Sequence, residues 1–127
     1  MDARDAIRPQ AIEFRAKVTE GDFLVRGEMT FATASQGLKR AAALLKGSGR
    51  SVRFDLAGIS RADSSGVGLM IEWLLVARSS GCQLRYSNIP TSLEAMIRVG
   101  GVEGMLPIDA SAPTNKCNVK TINTETI

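Results

Sequence analysis

The chain has 127 residues, 44% of them apolar, and a formal charge of +3 at neutral pH. This length and composition suit one globular domain with one core, and they exclude a disordered or collagen-like chain. The charge is too small to indicate nucleic-acid binding, and the absence of histidine removes the commonest general base and metal ligand.

The N-terminal residues are mostly charged and polar, so the sequence predicts neither a signal peptide nor a transmembrane span. Cys82 lies in a strand-like run and Cys117 in a polar segment, which argues against a disulfide framework. We therefore predict a cytoplasmic protein in a reducing compartment.

Alternation with a period of two predicts a β-hairpin near the start of the chain. Phe14, Ala16 and Val18 alternate with charged or polar residues, and the turn signal at residues 20–22 leads to a second strand from Phe23. A helix follows, with Thr33 or Ser35 as its N-cap. Its apolar side carries Leu38, Ala41, Ala42 and Leu45, and Gly47-Ser48-Gly49 ends it.

The rest of the chain is predicted to hold a strand at residues 51–56, a long helix at 67–80 and a strand at 82–86. A short helix capped by Thr91 or Ser92 follows, and Gly100-Gly101 ends it. Residues 104–108 can add a short edge strand, because Pro107 is tolerable there only at an edge or a strand end.

Each predicted strand is apolar on one parity and largely polar on the other, whereas a sheet covered on both faces would show continuous apolar runs. We therefore predict a single α/β domain at residues 13–108, with a mixed four- to five-stranded sheet and all helices on one face. Residues 1–12 are predicted to be a flexible lead and 109–127 a disordered tail. The uncovered face is expected to be solvated, or to meet anionic lipid headgroups or an acidic partner. It carries Arg15, Lys17, Arg26, Arg53 and Arg85 against Glu13 and Asp55.

The tetrapeptide Asp63-Ser64-Ser65-Gly66 connects the third strand to the long helix. Asp63 or Ser64 can cap this helix by accepting hydrogen bonds from its free N–H groups. A helix N-terminus also favours negative charge, so a phosphorylated hydroxyl would be stabilised there. A well-capped helix start without further function is the alternative interpretation.

The long helix has more apolar surface than one face of a sheet requires. One stripe is formed by Val67, Met70, Ile71, Leu74 and Leu75, and a second by Leu69, Trp73 and Val76. The second stripe is buried either by neighbouring helices or by a partner. If it is exposed in the lone chain, Trp73 would be a strong interface anchor, and the partner would also touch Ser64 or Ser65.

The sequence lacks the usual signs of an enzyme. No histidine or nearby lysine can activate the hydroxyls of Ser64 and Ser65. No P-loop, paired-cysteine metal motif or dinucleotide fingerprint is present. We therefore predict a non-enzymatic protein with no cofactor, no metal and no catalytic residues.

Residues 13–108 resemble a STAS domain, the fold of anti-sigma-factor antagonists and of related modules on transporters. The resemblance rests on the strand Val52–Leu56, the segment from Ile59 to Gly68 that contains Asp63-Ser64-Ser65-Gly66, and Val99-Gly100-Gly101-Val102. In anti-sigma-factor antagonists a partner kinase phosphorylates the serine after the aspartate, which implies Ser64 here. Thr30 departs from that pattern, because these proteins usually have an aspartate at this position.

The apolar second stripe also departs from that pattern, and both departures resemble the MlaB-type STAS subunit of the Mla phospholipid transporter of Gram-negative bacteria. This resemblance implies a cytoplasmic subunit that binds the ATPase of an ABC complex, contacts the inner membrane only through that complex, and helps maintain outer-membrane lipid asymmetry. The implied ATPase-binding residues are Asp63, Ser64, Ser65, Gly66, Leu69, Trp73 and Val76. The alternative is an anti-sigma-factor antagonist that binds its kinase and is switched by phosphorylation of Ser64.

Overall fold

The predicted hairpin is present in the computed structural model, which describes residues 9–46 and 51–109. Strand β1 (Glu13–Ala16) pairs antiparallel with β2 (Asp22–Met29). Val18 was expected in the first strand, but it lies beyond the end of β1 and is exposed. The predicted turn contains Gly21, whose φ of +88° places it in the left-handed region that favours glycine.

A mixed sheet with the order β1-β2-β3-β4 forms the framework of the domain. Strands β3 (Ser51–Ala62) and β4 (Gln83–Ser87) are parallel to each other, and β3 is parallel to β2. Strand β3 is twice as long as predicted, because its second half continues to pair with β2 as far as Met29. The pairing contains register shifts, and such irregularities interrupt the alternation by which a strand is recognised in a sequence.

Three helices complete the fold: α1 (Ala34–Leu45), α2 (Ser64–Ser79) and α3 (Thr91–Val99). Their buried residues form one core with the apolar parity of the sheet, which confirms the predicted α/β fold with helices on one face. The core residues that β3 and β4 supply are Val52, Phe54, Leu56, Ile59, Leu84 and Tyr86.

The predicted N-cap of α1 is right in position but makes no side-chain capping bond, and the predicted N-cap of α3 is wrong. Thr33 precedes α1, but its hydroxyl donates to the carbonyl oxygen of Glu28 at 2.6 Å and does not cap the helix. Pro90 precedes α3, and no side chain caps that helix. Proline suits a helix start because its missing N–H would have no helical partner there, so α3 begins without help from Thr91 or Ser92.

The predicted fifth strand is reduced to a single bridge. Residues Glu103–Met105 form a 3₁₀ turn, and Ile108 makes one parallel bridge with Tyr86. The carbonyl of Pro107 accepts from the amide of Tyr86 at 3.0 Å, and the amide of Asp109 donates to the carbonyl of Tyr86. A longer ladder would need an N–H from Pro107, which proline lacks.

The uncovered sheet face is polar, as predicted, and ion pairs join its charged residues. Arg53 lies 3.2 Å from the carboxylate of Asp109 and 3.8 Å from that of Asp22. Lys17 contacts the carboxylate of Asp55 at 2.7 Å. Asp109 was predicted to begin a disordered tail, but it is held against Arg53 and β4.

Several predictions concern residues outside the described ranges. They are most of the flexible lead at 1–12, the helix end at residues 47–49, the tail at 110–127, and Cys117. Within residues 9–46 and 51–109, no helix is both long enough and apolar enough to cross a membrane.

Candidate partner-binding site

Asp63 is the N-cap of α2, and it also fixes the loop that follows β2. Its backbone is extended, with φ −123° and ψ −171°. One carboxylate oxygen, Oδ1, accepts from the amide of Ser65 at 2.8 Å, and Oδ2 accepts from the amide of Phe31 at 3.2 Å. Of the two predicted caps, Asp63 and not Ser64 performs this role.

The carboxyl group of Asp63 is held in its ionised form. Desolvation by burial raises its pKa, but the hydrogen bonds from the amides of Phe31 and Ser65 outweigh that effect, and its pKa is lowered from the ordinary value. A negative charge beside the first turn of α2 also suits the positive end of the helix. The start of α2 therefore carries a fixed anion at neutral pH.

The next three residues of the tetrapeptide differ in exposure. Ser64 is exposed, Ser65 is half-buried and Gly66 is buried. A Cβ at Gly66 would lie 3.0 Å from the carbonyl oxygen of Met29 and 3.3 Å from Leu93. Gly66 therefore allows α2 to approach β2 and α3, and only the two serines and Asp63 remain available to a partner.

Of the two alternatives for the stripe of Leu69, Trp73 and Val76, burial within the chain is the one that the structure shows. Trp73 has no exposed surface and Leu69 is 3% exposed, while Val76 is half-buried against the core. The stripe lies between the sheet and α1, because α2 is flanked by a helix on each side and buries a wider arc than a helix with no neighbours. Leu69 and Trp73 thus cannot contact a partner in the folded chain.

Trp73 lies at the centre of the aromatic part of the core. Its ring centroid is 5.2 Å from that of Phe54, 5.7 Å from that of Phe14 and 6.4 Å from that of Tyr86. The indole Nε1 donates to the carbonyl oxygen of Gly37 in α1 at 3.2 Å, so the one polar atom of the ring is satisfied. These contacts make Trp73 a packing residue of the monomer.

The exposed side of α2 is formed by different residues, which we name the outer face: Ser64, Gly68, Glu72 and Leu75. Leu75 is 51% exposed. Beside it, Val67 and Ile71 are half-buried. Leu75, Val67 and Ile71 all belong to the stripe that was expected to cover the sheet, whereas Met70 and Leu74 of that stripe are buried, so the stripe is divided between the surface and the core. The helix does present apolar surface to solvent, but less than predicted and from other residues.

Phe31 is the functional candidate that the sequence analysis missed. Its side chain is 85% exposed, although its amide is bound to Asp63 next to the start of α2. A cleft of about 410 Å³ lies beside it and is lined by residues that include Thr30, Arg61 and Asp63. A phenylalanine in the turn between a strand and a helix was the available signal, since such a turn is normally polar.

This site offers several kinds of docking contact. It combines an aromatic ring, two serine hydroxyls, a fixed carboxylate and the outer face of α2. Within the described residues, no three acidic, cysteine or histidine side chains are grouped in a way that could hold a metal ion.

Comparison with protein families gives a match over most of the chain. The family model described as "Mlab, STAS domain" matches residues 12–107. The chain belongs to the STAS domain family. The matched segment contains the whole described sheet, the three helices and the candidate site. A comparison with curated proteins gives no match.

Solved STAS structures share this fold at low sequence identity. An anti-sigma factor antagonist from Thermotoga maritima is 18% identical, with a TM-score of 0.61 over 86% of this chain and 87% of that one. One from Mycobacterium paratuberculosis is 16% identical, with a TM-score of 0.65 over 83% and 91% of the two chains. The phosphorylated form of the Bacillus cell fate determinant SpoIIAA is 17% identical, with a TM-score of 0.55 over 80% and 93%. At these identities the likeness shows the fold alone.

Proposed function

We propose that this STAS protein is a non-enzymatic subunit that docks on the ATPase of a phospholipid-transporting ABC complex. It would be cytoplasmic, and peripheral to the inner membrane through that complex. In this role it would contribute to the maintenance of outer-membrane lipid asymmetry. The description of the matching family model as MlaB supports this assignment, together with the resemblance of the Asp63–Gly68 segment.

The observation that carries the docking surface is the exposure of Gly68 at the beginning of the second turn of α2. Glycine in a helix interior costs about 1 kcal/mol relative to alanine. A Cβ at Gly68 would meet no atom within 4 Å, so packing within the described chain gives no reason for this glycine. The close approach of a partner at the outer face would account for it.

The flanking residues fit a protein partner. Phe31 and Leu75 are large exposed apolar side chains, and aromatic residues are enriched at the centres of interfaces. The serine hydroxyls and the Asp63 carboxylate add polar contacts at the start of α2. Docking through Leu69 and Trp73 is excluded by their burial, so the proposed interface consists of Phe31, Asp63, Ser64, Ser65 and the rest of the outer face.

Co-purification with the transporter ATPase tests this interface. Gly68→Arg and Phe31→Ala should each abolish or strongly weaken recovery of the ATPase, because one blocks close approach and the other removes an apolar anchor. Ala95→Arg, at an exposed position of α3, is the matched control and should bind like the wild type. Unchanged binding by both interface variants, with the chain folded by circular dichroism, would refute the assignment.

A second function is favoured by the exposure of Ser64. We propose, as the alternative, an anti-sigma-factor antagonist that is switched when a partner kinase phosphorylates this residue. Ser64 is the first residue of α2, where the helix N-terminus stabilises a phosphate. Arg61 is exposed and close enough to act electrostatically on Asp63. The Bacillus structure with this fold is described in a phosphorylated form.

Incubation with ATP and an anti-sigma kinase from the same organism distinguishes the two proposals. The antagonist predicts the addition of one phosphate, which Ser64→Ala abolishes and Ser65→Ala, at the neighbouring half-buried serine, preserves. The transporter subunit predicts no added phosphate with any such kinase and stable recovery with the ATPase.

A further inference from the structure

Strand β1 presents an edge that no described strand covers, since it pairs with β2 alone among residues 9–46 and 51–109. The direction of its backbone groups follows from one hydrogen bond. The amide of Lys17 donates to the carbonyl of Asp22 at 2.9 Å, so the backbone groups of Lys17 point toward β2. Because this direction alternates along an antiparallel strand, those of Arg15 also point toward β2, and those of Phe14 and Ala16 point outward.

An independent contact confirms this direction. The carbonyl of Ile12 has the same parity as Phe14, and it accepts a hydrogen bond from the guanidinium of Arg40 in α1 at 2.9 Å. It therefore also points away from β2. No hydrogen bond to the backbone groups of Phe14 occurs on this side within the described residues.

There is space beside this edge for another segment. An open groove of about 450 Å³ runs between β1 and α1. It is lined by Phe14, Arg15, Arg40, Ala43 and Leu44, together with Glu13. Exposed edges of this kind pair readily with a further strand, and natural proteins usually protect them.

We propose that this edge is a homodimer interface, in which β1 of one copy pairs antiparallel with β1 of a second copy. The two-fold axis passes through the Phe14 pair, so that each Phe14 donates to and accepts from the other. The two sheets then become one continuous sheet of eight strands.

Charge complementarity selects both the occupant and the register. With Phe14 opposite Phe14, Glu13 of each copy lies opposite Arg15 of the other on the uncovered sheet face. These are non-hydrogen-bonded pairs, in which side chains approach most closely. Shifting the axis by one residue in either direction would place Glu13 against Glu13 or Arg15 against Arg15, and like charges directly opposite are destabilising.

The proposed dimer does not involve Asp63, Ser64 or α2, so it is independent of the proposed function. The paired segment is short, so we expect a weak and reversible dimer with a dissociation constant between about 1 μM and about 1 mM.

Sedimentation equilibrium of the full chain over a concentration series tests the dimer and its register. Arg15→Glu and Glu13→Arg should each weaken self-association roughly tenfold or more, because each turns two attractive pairs into two repulsive ones. An equimolar mixture of the two variants should associate like the wild type, since their charges are complementary across the interface. A folded Ala16→Pro chain should also be monomeric, because proline removes an outward N–H without removing a bond to β2.

Three results would overturn the proposal. The first is a wild-type chain that remains monomeric up to about 1 mM. The second is self-association that Arg15→Glu and Ala16→Pro leave unchanged. The third is a mixture of the two charge variants that associates no better than either variant alone. Position 13 lies opposite Arg26 of β2. If Glu13→Arg fails to fold for that reason, the second result still decides, because it depends only on Arg15→Glu and Ala16→Pro.

Discussion

The carboxylate of Asp63 joins the start of α2 to the backbone of Phe31, whose amide lies 3.2 Å from Oδ2. The other oxygen of the same carboxylate caps the helix through Ser65. One side chain thus sets the position of both the serine pair and the exposed aromatic ring. The candidate site is built on this relationship, although a helix and a strand lie between the two segments in the sequence.

Asp63→Ala should lower the free energy of unfolding by about 1 kcal/mol, because it removes a side-chain cap. It should also loosen the loop that contains Phe31, which would be seen as faster hydrogen exchange at the Phe31 amide. In Asp63→Asn a single side-chain oxygen must accept from both amides. Its free energy of unfolding and its exchange rate at Phe31 should therefore lie between those of Asp63→Ala and the wild type. Equal exchange rates in all three proteins would contradict the proposed role of Asp63 in fixing this loop.

Trp73→Ala should lower the free energy of unfolding by about 3–5 kcal/mol, the range typical of large-to-small changes at fully buried aromatic positions. Leu75→Ala is the matched control on the same helix, and because its side chain is half exposed it should cost less than about 1 kcal/mol. Urea denaturation measures both. A small effect of Trp73→Ala would mean that the indole lies on the surface, the alternative that the sequence alone left open.

The two glycines near the start of α2 should respond oppositely to alanine. Gly68→Ala should raise the free energy of unfolding by up to about 1 kcal/mol, because the new methyl group meets open space and alanine favours the helix. Gly66→Ala should lower it by roughly 1–3 kcal/mol, because its methyl group would press on Met29 and Leu93. Thermal denaturation of the two variants compares them directly, and a change of the same sign in both would contradict this packing.

Asp55 should make the fold sensitive to acid. Desolvation by burial raises its pKa, but hydrogen bonds from Lys17, Asn88 and the amide of Ala57 prevail, and the pKa is lowered from the ordinary 3.8. A carboxyl whose pKa is lower in the folded chain stabilises the fold above its unfolded pKa, and this stability is lost as the pH falls through the folded value.

Asp55→Asn should therefore cost roughly 1–3 kcal/mol at neutral pH, because it weakens a buried, charge-assisted network. The difference from the wild type should shrink as the pH falls below about 4, where the carboxyl of the unfolded chain takes up a proton, and should be smallest below the lowered pKa of the folded chain. Urea midpoints measured from about pH 7 to about pH 2 test this. A difference that does not depend on pH would show that the charge of Asp55 is unimportant.

Tyr86 should make the fold sensitive to alkali, whereas Asp55 makes it sensitive to acid. Burial raises its pKa well above 10.0, and its hydroxyl donates to the carbonyl of Met70 at 2.5 Å. The stability that comes from the neutral phenol is complete below the unfolded pKa and is lost as the pH rises toward the folded value. Since the chain has one tyrosine, phenolate absorbance reports this group alone and should appear together with unfolding. Tyr86→Phe should abolish that signal and reduce the dependence of the unfolding transition on alkaline pH.

Much of the architecture follows from local patterns in the sequence. The alternation of apolar and polar residues along the strands predicted that the helices lie on one face, and Glu20-Gly21-Asp22 predicted the hairpin turn. Both signals depend on neighbouring residues alone. The extension of β3 to Ala62 was not predictable in this way. It depends on pairing with β2 across register shifts, and such pairing is a tertiary effect that alternation does not record.

The orientation of α2 shows more clearly what local sequence patterns cannot predict. A helical wheel gives the angles between residues but not the direction of the sheet, and two apolar stripes left two possible directions. The narrow polar arc of Gly68, Glu72 and Ser79 indicated the correct direction, since the centre of the buried face should lie opposite it. Residues on that opposite side include Met70 and Ala77, and Trp73 lies next to them.

The chain contains a single tryptophan, and it is sealed against three other aromatic rings. Its fluorescence should therefore be that of an apolar environment in the native protein and should shift to longer wavelengths only when the core opens. A ligand that binds at the exposed serines would leave this emission almost unchanged. The protein thus has a built-in optical probe that separates loss of folding from loss of binding in every variant described above that retains Trp73.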